Sequence, residues 1–114
     1  MTLYKMRTTS ADPAIAIRWA DRTDAAVPLS AATFEARFVN RRTKALTATL
    51  TTVTGYATFQ GTTPDDYNAL ITFATGALAT IGAGLFDVEV DAVVSGRSRP
   101  FGGEIVVEIT APTI

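Results

Sequence analysis

Residues 84–109 constrain the fold of this chain more than any other stretch. Phe86, Val88, Val90 and Ala92 alternate with Asp87, Glu89 and Asp91. Ile105, Val107 and Ile109 alternate with Glu104 and Glu108. A period of two marks half-buried strands, because successive side chains point to opposite faces. The intervening Ser95–Pro100 stretch is rich in turn residues, so the two runs read as a β-hairpin with a longer loop. Each strand has one apolar and one acidic face, and a core must cover the apolar one. Pairing Val90 with Ile105 and Val88 with Val107 sets Asp91 against Glu104 and Asp87 against Glu108. Like charges directly opposite one another destabilise a sheet. Three readings of the acidic stripe follow: a solvated outer face, a surface for a basic partner, or a Ca²⁺ site. A flat strand face supplies the 6–8 oxygens of Ca²⁺ poorly.

Earlier segments repeat the strand pattern. Thr2–Thr8 reads as a short strand. In Ala14–Ala20, Ile15, Ile17 and Trp19 share a face, and Asp21–Asp24 follows as a turn. Thr33–Asn40 places Phe34, Ala36 and Phe38 on one face and Thr33, Glu35, Arg37 and Val39 on the other. Residues 40–44 form a basic turn. Leu46–Val53 is Thr-rich and uncharged, with Leu46, Ala48 and Leu50 expected inward. Tyr56–Gln60 resumes the strand after a break.

Residues 63–81 read as the one helix. Thr63 suits the N-cap, Pro64 the first position, and Asp65 and Asp66 the positive end of the helix dipole. Tyr67, Leu70, Ile71, Ala74, Leu78 and Ile81 follow helical spacing. Gly82 is placed to end the helix, and Gly76 is an interior weak point where it can break in two. Strands at near-regular spacing, one helix and a closing hairpin describe a mainly β protein, an antiparallel sandwich.

Composition narrows the chemistry. At 114 residues, 1–114 is expected to form a single domain. The 47% hydrophobic and 18% charged content is that of a globular chain. There is no His and no Cys, which removes the commonest general base and the commonest zinc ligands. The acidic stripe has no visible cleft of the kind a glycosidase pair needs. No enzyme, cofactor or metal is therefore expected. No membrane span or signal peptide is expected either.

Residues 1–44 hold eight basic and four acidic side chains, and residues 45–114 two basic and seven acidic. These poles either drive contacts between copies or neutralise each other on folding. Arg37, Arg41, Arg42 and Lys44 form the main basic cluster. It lacks interleaved aromatics, so nucleic acid is not an expected partner. Arg97 and Arg99 flank the hairpin tip. The candidate interface residues are Arg41, Arg42, Lys44, Arg97, Arg99, Asp87, Glu89 and Asp91.

The strand, acidic turn and Val27-Pro28-Leu29-Ser30 segment of residues 14–30 are followed by Thr33–Val39. Gly84–Val90 and Gly102–Ile109 close the domain. Together these stretches resemble the immunoglobulin-like amino-terminal domain of tailed-phage upper baseplate proteins, which attach fibres or receptor-binding parts to the tail. The resemblance implies an immunoglobulin-like β-sandwich, into which the chain's own spacing inserts the 63–81 helix before the C-terminal hairpin. It implies a non-enzymatic tail, baseplate or fibre-attachment protein of the virion, assembled in the host cytoplasm. Its partners would be other virion structural proteins and copies of itself. The alternative is a carbohydrate-binding or adhesion sandwich, which exposed aromatics lining a groove would favour and a buried Trp19 would oppose.

Overall fold

The structure is a computed structural model and describes residues 2–9, 14–52, 55–63, 66–74 and 76–111. It is mainly β. The elements in order are β1 (Thr2–Arg7), β2 (Ala14–Ile17), β3 (Thr33–Asn40), β4 (Leu46–Thr52), β5 (Ala69–Thr72), α1 (Ala77–Ile81), β6 (Gly84–Val94), β7 (Arg97–Pro100) and β8 (Ile105–Thr110). Val53, Pro64 and Asp65, which the sequence reading assigned to a strand end and a helix start, lie outside the described residues.

The large sheet runs β1-β8-β6-β3-β4, and β7 also pairs with β6. The 11-residue β6 is its spine. One side of β6 pairs with β3 along its length. On the other side, Gly84–Val88 pairs with β8 and Asp91–Val94 pairs with β7. The alternation in β3 and β6 is realised: Phe34, Ala36, Phe38, Phe86, Val88, Val90 and Ala92 are all buried.

A second sheet, β2 with β5, lies across that apolar face, giving a sandwich-like pair of layers. Ile15, Ile17, Ala69 and Ile71 enter the same core as Phe34, Phe38 and Phe86. The Phe38 ring meets Phe73 at 5.6 Å and Phe86 at 6.1 Å, both edge to face. Burying each such side chain contributes about 1.5–3 kcal/mol.

Several expectations need correction. The helix spans Ala77–Ile81, not 63–81. Its buried residues are Leu78 and Ile81, and Gly82 ends it by donating its N–H to the Leu78 carbonyl at 2.9 Å. Gly76 precedes it at φ 89°, a left-handed conformation that a continuing helix cannot contain. Upstream, Ala69, Ile71 and Phe73 are buried and alternate with less buried Leu70, Thr72 and Ala74. That period of two makes 69–72 a strand, and β2 supplies its hydrogen bonds. Residues 56–60 form no strand, although Gln60 makes an isolated bridge to Tyr67.

The sheet is mixed rather than wholly antiparallel, because β1 runs parallel to β8. Parallel neighbours need a long connection, and here most of the chain provides it. Leu46 is 58% exposed instead of inward. A bulge between Phe38 and Val39 shifts the β3–β4 register there, so Leu46 sits opposite outward-facing Val39. A one-residue slip transfers a side chain to the other face.

The closing hairpin differs too. Ser95 and Gly96, at φ 51° and 77°, make the tight turn, and Arg97–Pro100 is itself a strand. Positive φ at both central residues suits the right-handed twist of the flanking strands. Since β7 takes the far half of β6, β8 pairs two residues away from the expected register. Val88 faces Ile105 and Phe86 faces Val107.

Candidate functional site

The register decides the fate of the acidic stripe. Asp87 lies opposite Val106 and Asp91 opposite Pro100, so the expected carboxylate pairs across the hairpin do not form. The neighbours that matter come from β3, where Arg37 is registered with Glu89 and Glu35 with Asp91.

Arg37 is the hub of the outer face. Its Nη1 donates to Glu35 Oε1 and to Asp91 Oδ2, each at 2.9 Å, and its Nε donates to Glu89 Oε2 at 3.4 Å. The Asp91 and Glu35 hydrogen bonds, in that order, push the ionisation of the guanidinium further upward and keep it charged. Arg41 lies 3.6 Å from Asp87 and 3.7 Å from Glu104, ion-pair distances too long for hydrogen bonds. Two cations from the basic half of the chain thus meet four carboxylates from the acidic half and Glu35 from their own. The poles of the sequence neutralise each other here by folding.

A groove of about 600 Å³ opens over this network. Arg37, Arg41 and Lys44 line it from the β3 side, and Asp87, Glu89 and Asp91 from β6. Among the described residues, no three carboxylates converge closely enough to hold a metal ion. The groove therefore presents interleaved charges of both signs, suited to polar contacts with a complementary surface.

The basic turn is built by Asn40. Its Oδ1 accepts the Arg42 and Thr43 N–H groups at 2.9 and 3.0 Å, and its backbone carbonyl accepts the Lys44 N–H at 2.7 Å. Arg42 lines a separate hollow of about 700 Å³ beside Gly84 and Leu85.

Arg97 and Arg99 lie well away from this network, on the other face of the sheet. Arg99 is registered with inward-facing Ala92, and Arg97 with Val94. They line a third hollow of about 610 Å³ with Val27, Pro28, Val94 and Ser95. The eight candidate residues therefore fall on two faces: Asp87, Glu89, Asp91, Arg41, Arg42 and Lys44 by the outer face and its turn, Arg97 and Arg99 behind it.

Trp19 is buried against Phe101, with ring centroids 5.2 Å apart. It offers no open face to a sugar ring. The side chain that holds its backbone is Asn68, which the sequence reading placed in a helix and gave no role. Asn68 is completely buried, the one buried polar residue among those described. An isolated Asn just ahead of the Ala69-Leu-Ile-Thr-Phe73 alternation was the available signal for a strand entry with a clamp.

Comparison of the chain with protein-family models, with curated proteins and with solved structures returns no match. No helix among the described residues is long and apolar enough to cross a membrane.

Proposed function

We propose that this chain is a non-enzymatic structural module of a tailed-phage particle, a tail, baseplate or fibre-attachment component that works through strand-edge and loop contacts. The observation that carries the contact reading is β4. It is an outer strand of the large sheet, paired among the described residues with β3 alone, and its seven residues carry no charge. Leu46 and the outward threonines are exposed along it. Free edges commonly carry charge, proline or a covering element that blocks pairing with another chain. Among the described residues this one has only the bulge beside Leu46. A neighbouring protein is the natural cover for it. The phage assignment rests on the resemblance carried by residues 14–30, 33–39, 84–90 and 102–109. The buried Trp19 weighs against the carbohydrate-binding alternative.

Antibodies raised against the purified chain test the location. They are expected to decorate one defined position on tailed particles from cells that carry its gene, seen by negative-stain microscopy. Particles that stay unlabelled after tail disassembly would overturn the virion assignment. Thr47→Lys with Thr51→Lys tests the edge. The double variant should fold normally and fail to enter particles.

A further inference from the structure

We propose that the open edge of β7 docks an extended segment of another protein that carries two carboxylates at alternate positions, an acid-x-acid triplet. The site rests on the strand-edge reading above and gives one of its partners a chemistry.

Among the described residues, strand β7 pairs only with β6, and all four of its residues are exposed. The Phe101 N–H bonds the Val90 carbonyl at 2.8 Å. Antiparallel ladders alternate bonded and non-bonded pairs. Ala92 with Arg99 and Val94 with Arg97 are therefore the bonded pairs, and Ser98, registered with Val93, is a non-bonded one. The Ser98 N–H and carbonyl consequently point away from β6, along the free edge. Pro100 is the next non-bonded position, where a missing N–H costs the sheet nothing.

Arg97 and Arg99 flank Ser98 on one face, about 6.6 Å apart by strand geometry. Neither makes an ion pair among the described residues. The hollow they line with Val27, Pro28, Val94 and Ser95 contains no acidic residue. Two unpaired guanidinium groups over an apolar floor select anions, and they bind carboxylates in bidentate fashion. An incoming strand residue that exchanges hydrogen bonds with Ser98 places its two neighbours opposite Arg97 and Arg99, on their face. Carboxylates at those neighbours match the arginine spacing. The turn at Ser95 and Gly96 holds the hairpin in the required geometry.

A second copy cannot supply the segment. The acid-x-acid triplets of this chain are Asp87–Glu89 and Glu89–Asp91. Both lie in β6, which is paired along both edges, and Arg37 and Arg41 already engage their carboxylates. The occupant is a different protein.

The test is an NMR titration of the ¹⁵N-labelled full chain with the peptide Thr-Val-Glu-Val-Asp-Val-Thr and with its Gln/Asn counterpart. The acidic peptide should shift the Ser98 amide and the Arg97 and Arg99 Nε signals in a saturable way, and the amide counterpart should not. Arg97→Gln and Arg99→Gln, at exposed positions, should each weaken binding about tenfold. Ser98→Pro should keep the hairpin and abolish binding. Equal binding of the two peptides, or shifts confined to another surface, would overturn the site. Inorganic phosphate reproducing every shift, with nothing added by the peptide, would reduce it to an anion hollow and overturn strand docking. Antibody labelling of particles is independent of these outcomes. Failure of the peptide therefore removes this site alone, and failure of labelling removes the virion assignment alone.

Discussion

The side-chain amide of Asn68 satisfies both backbone groups of Trp19: Oδ1 accepts the Trp19 N–H at 2.7 Å and Nδ2 donates to its carbonyl at 2.9 Å. The second Nδ2 hydrogen reaches the Val27 carbonyl at 2.8 Å. β2 has ended at Ile17, and the amide continues the ladder in place of a neighbouring strand. It ties the Trp19 and Val27 segments to the entry of β5, and so holds the Trp19 ring against Phe101.

Asn68→Ala should therefore be among the most damaging single substitutions. It strands buried polar groups that water cannot reach, at about 1–3 kcal/mol for each group left unpaired. Asn68→Asp should also be destabilised at neutral pH, because its carboxylate would face two carbonyls. That variant should regain stability as the pH falls and the acid form returns. Urea denaturation of both variants at pH 7 and pH 4 checks this.

The strand assignment of β5 separates two neighbours. Ile71 is fully buried, while Leu70 is half-buried on the opposite side. Ile71→Ala should cost about 2–5 kcal/mol. Leu70→Ala should cost clearly less. Thermal melts showing the larger loss at Leu70 would restore a helical stripe.

Much of the fold was legible where one period had no competitor. In Thr33–Asn40 and Gly84–Val94 the charged residues fall only on odd positions, so the faces could be read directly. Residues 67–81 were ambiguous. Tyr67, Leu70, Ile71, Ala74, Leu78 and Ile81 fit a helix, whereas Ala69, Ile71 and Phe73 fit a strand. The left-handed Gly76 and the availability of β2 as a partner decide between them, and the second is a tertiary fact. The hairpin register turned on whether Ser95–Gly96 alone made the turn. The neutralised outer face was half visible: Glu35 and Arg37 alternate as Asp87, Glu89 and Asp91 do, but only the β3–β6 register brings them together.

Tyr4 links the two sheets, since its hydroxyl donates to the Ala16 carbonyl of β2. Tyr4→Phe should cost about 0.5–1.5 kcal/mol. Burial also pushes the Tyr4 hydroxyl above its ordinary value of 10.0. Its contribution is fully present below that value and is lost as the pH rises through the higher folded-state value. The stability difference between wild type and Tyr4→Phe should hence shrink in strong alkali, as denaturant melts between pH 8 and pH 12 would show.

Arg37→Gln should leave Glu35, Glu89 and Asp91 without their shared cation. The side chain is 26% exposed, so solvent screens part of the interaction. A loss of about 1 kcal/mol at low salt is expected, smaller at 1 M salt, where the screening length falls to about 3 Å. Melts of the variant in 0.05 M and 1 M salt measure it.

The most direct test of the assembly account is amide hydrogen exchange over residues 46–52, in the isolated chain and in the intact particle. The β4 amides that do not bond β3 should exchange rapidly in the free protein and become protected in the particle, as a neighbouring chain pairs with the edge. Equally rapid exchange in both states would contradict the account.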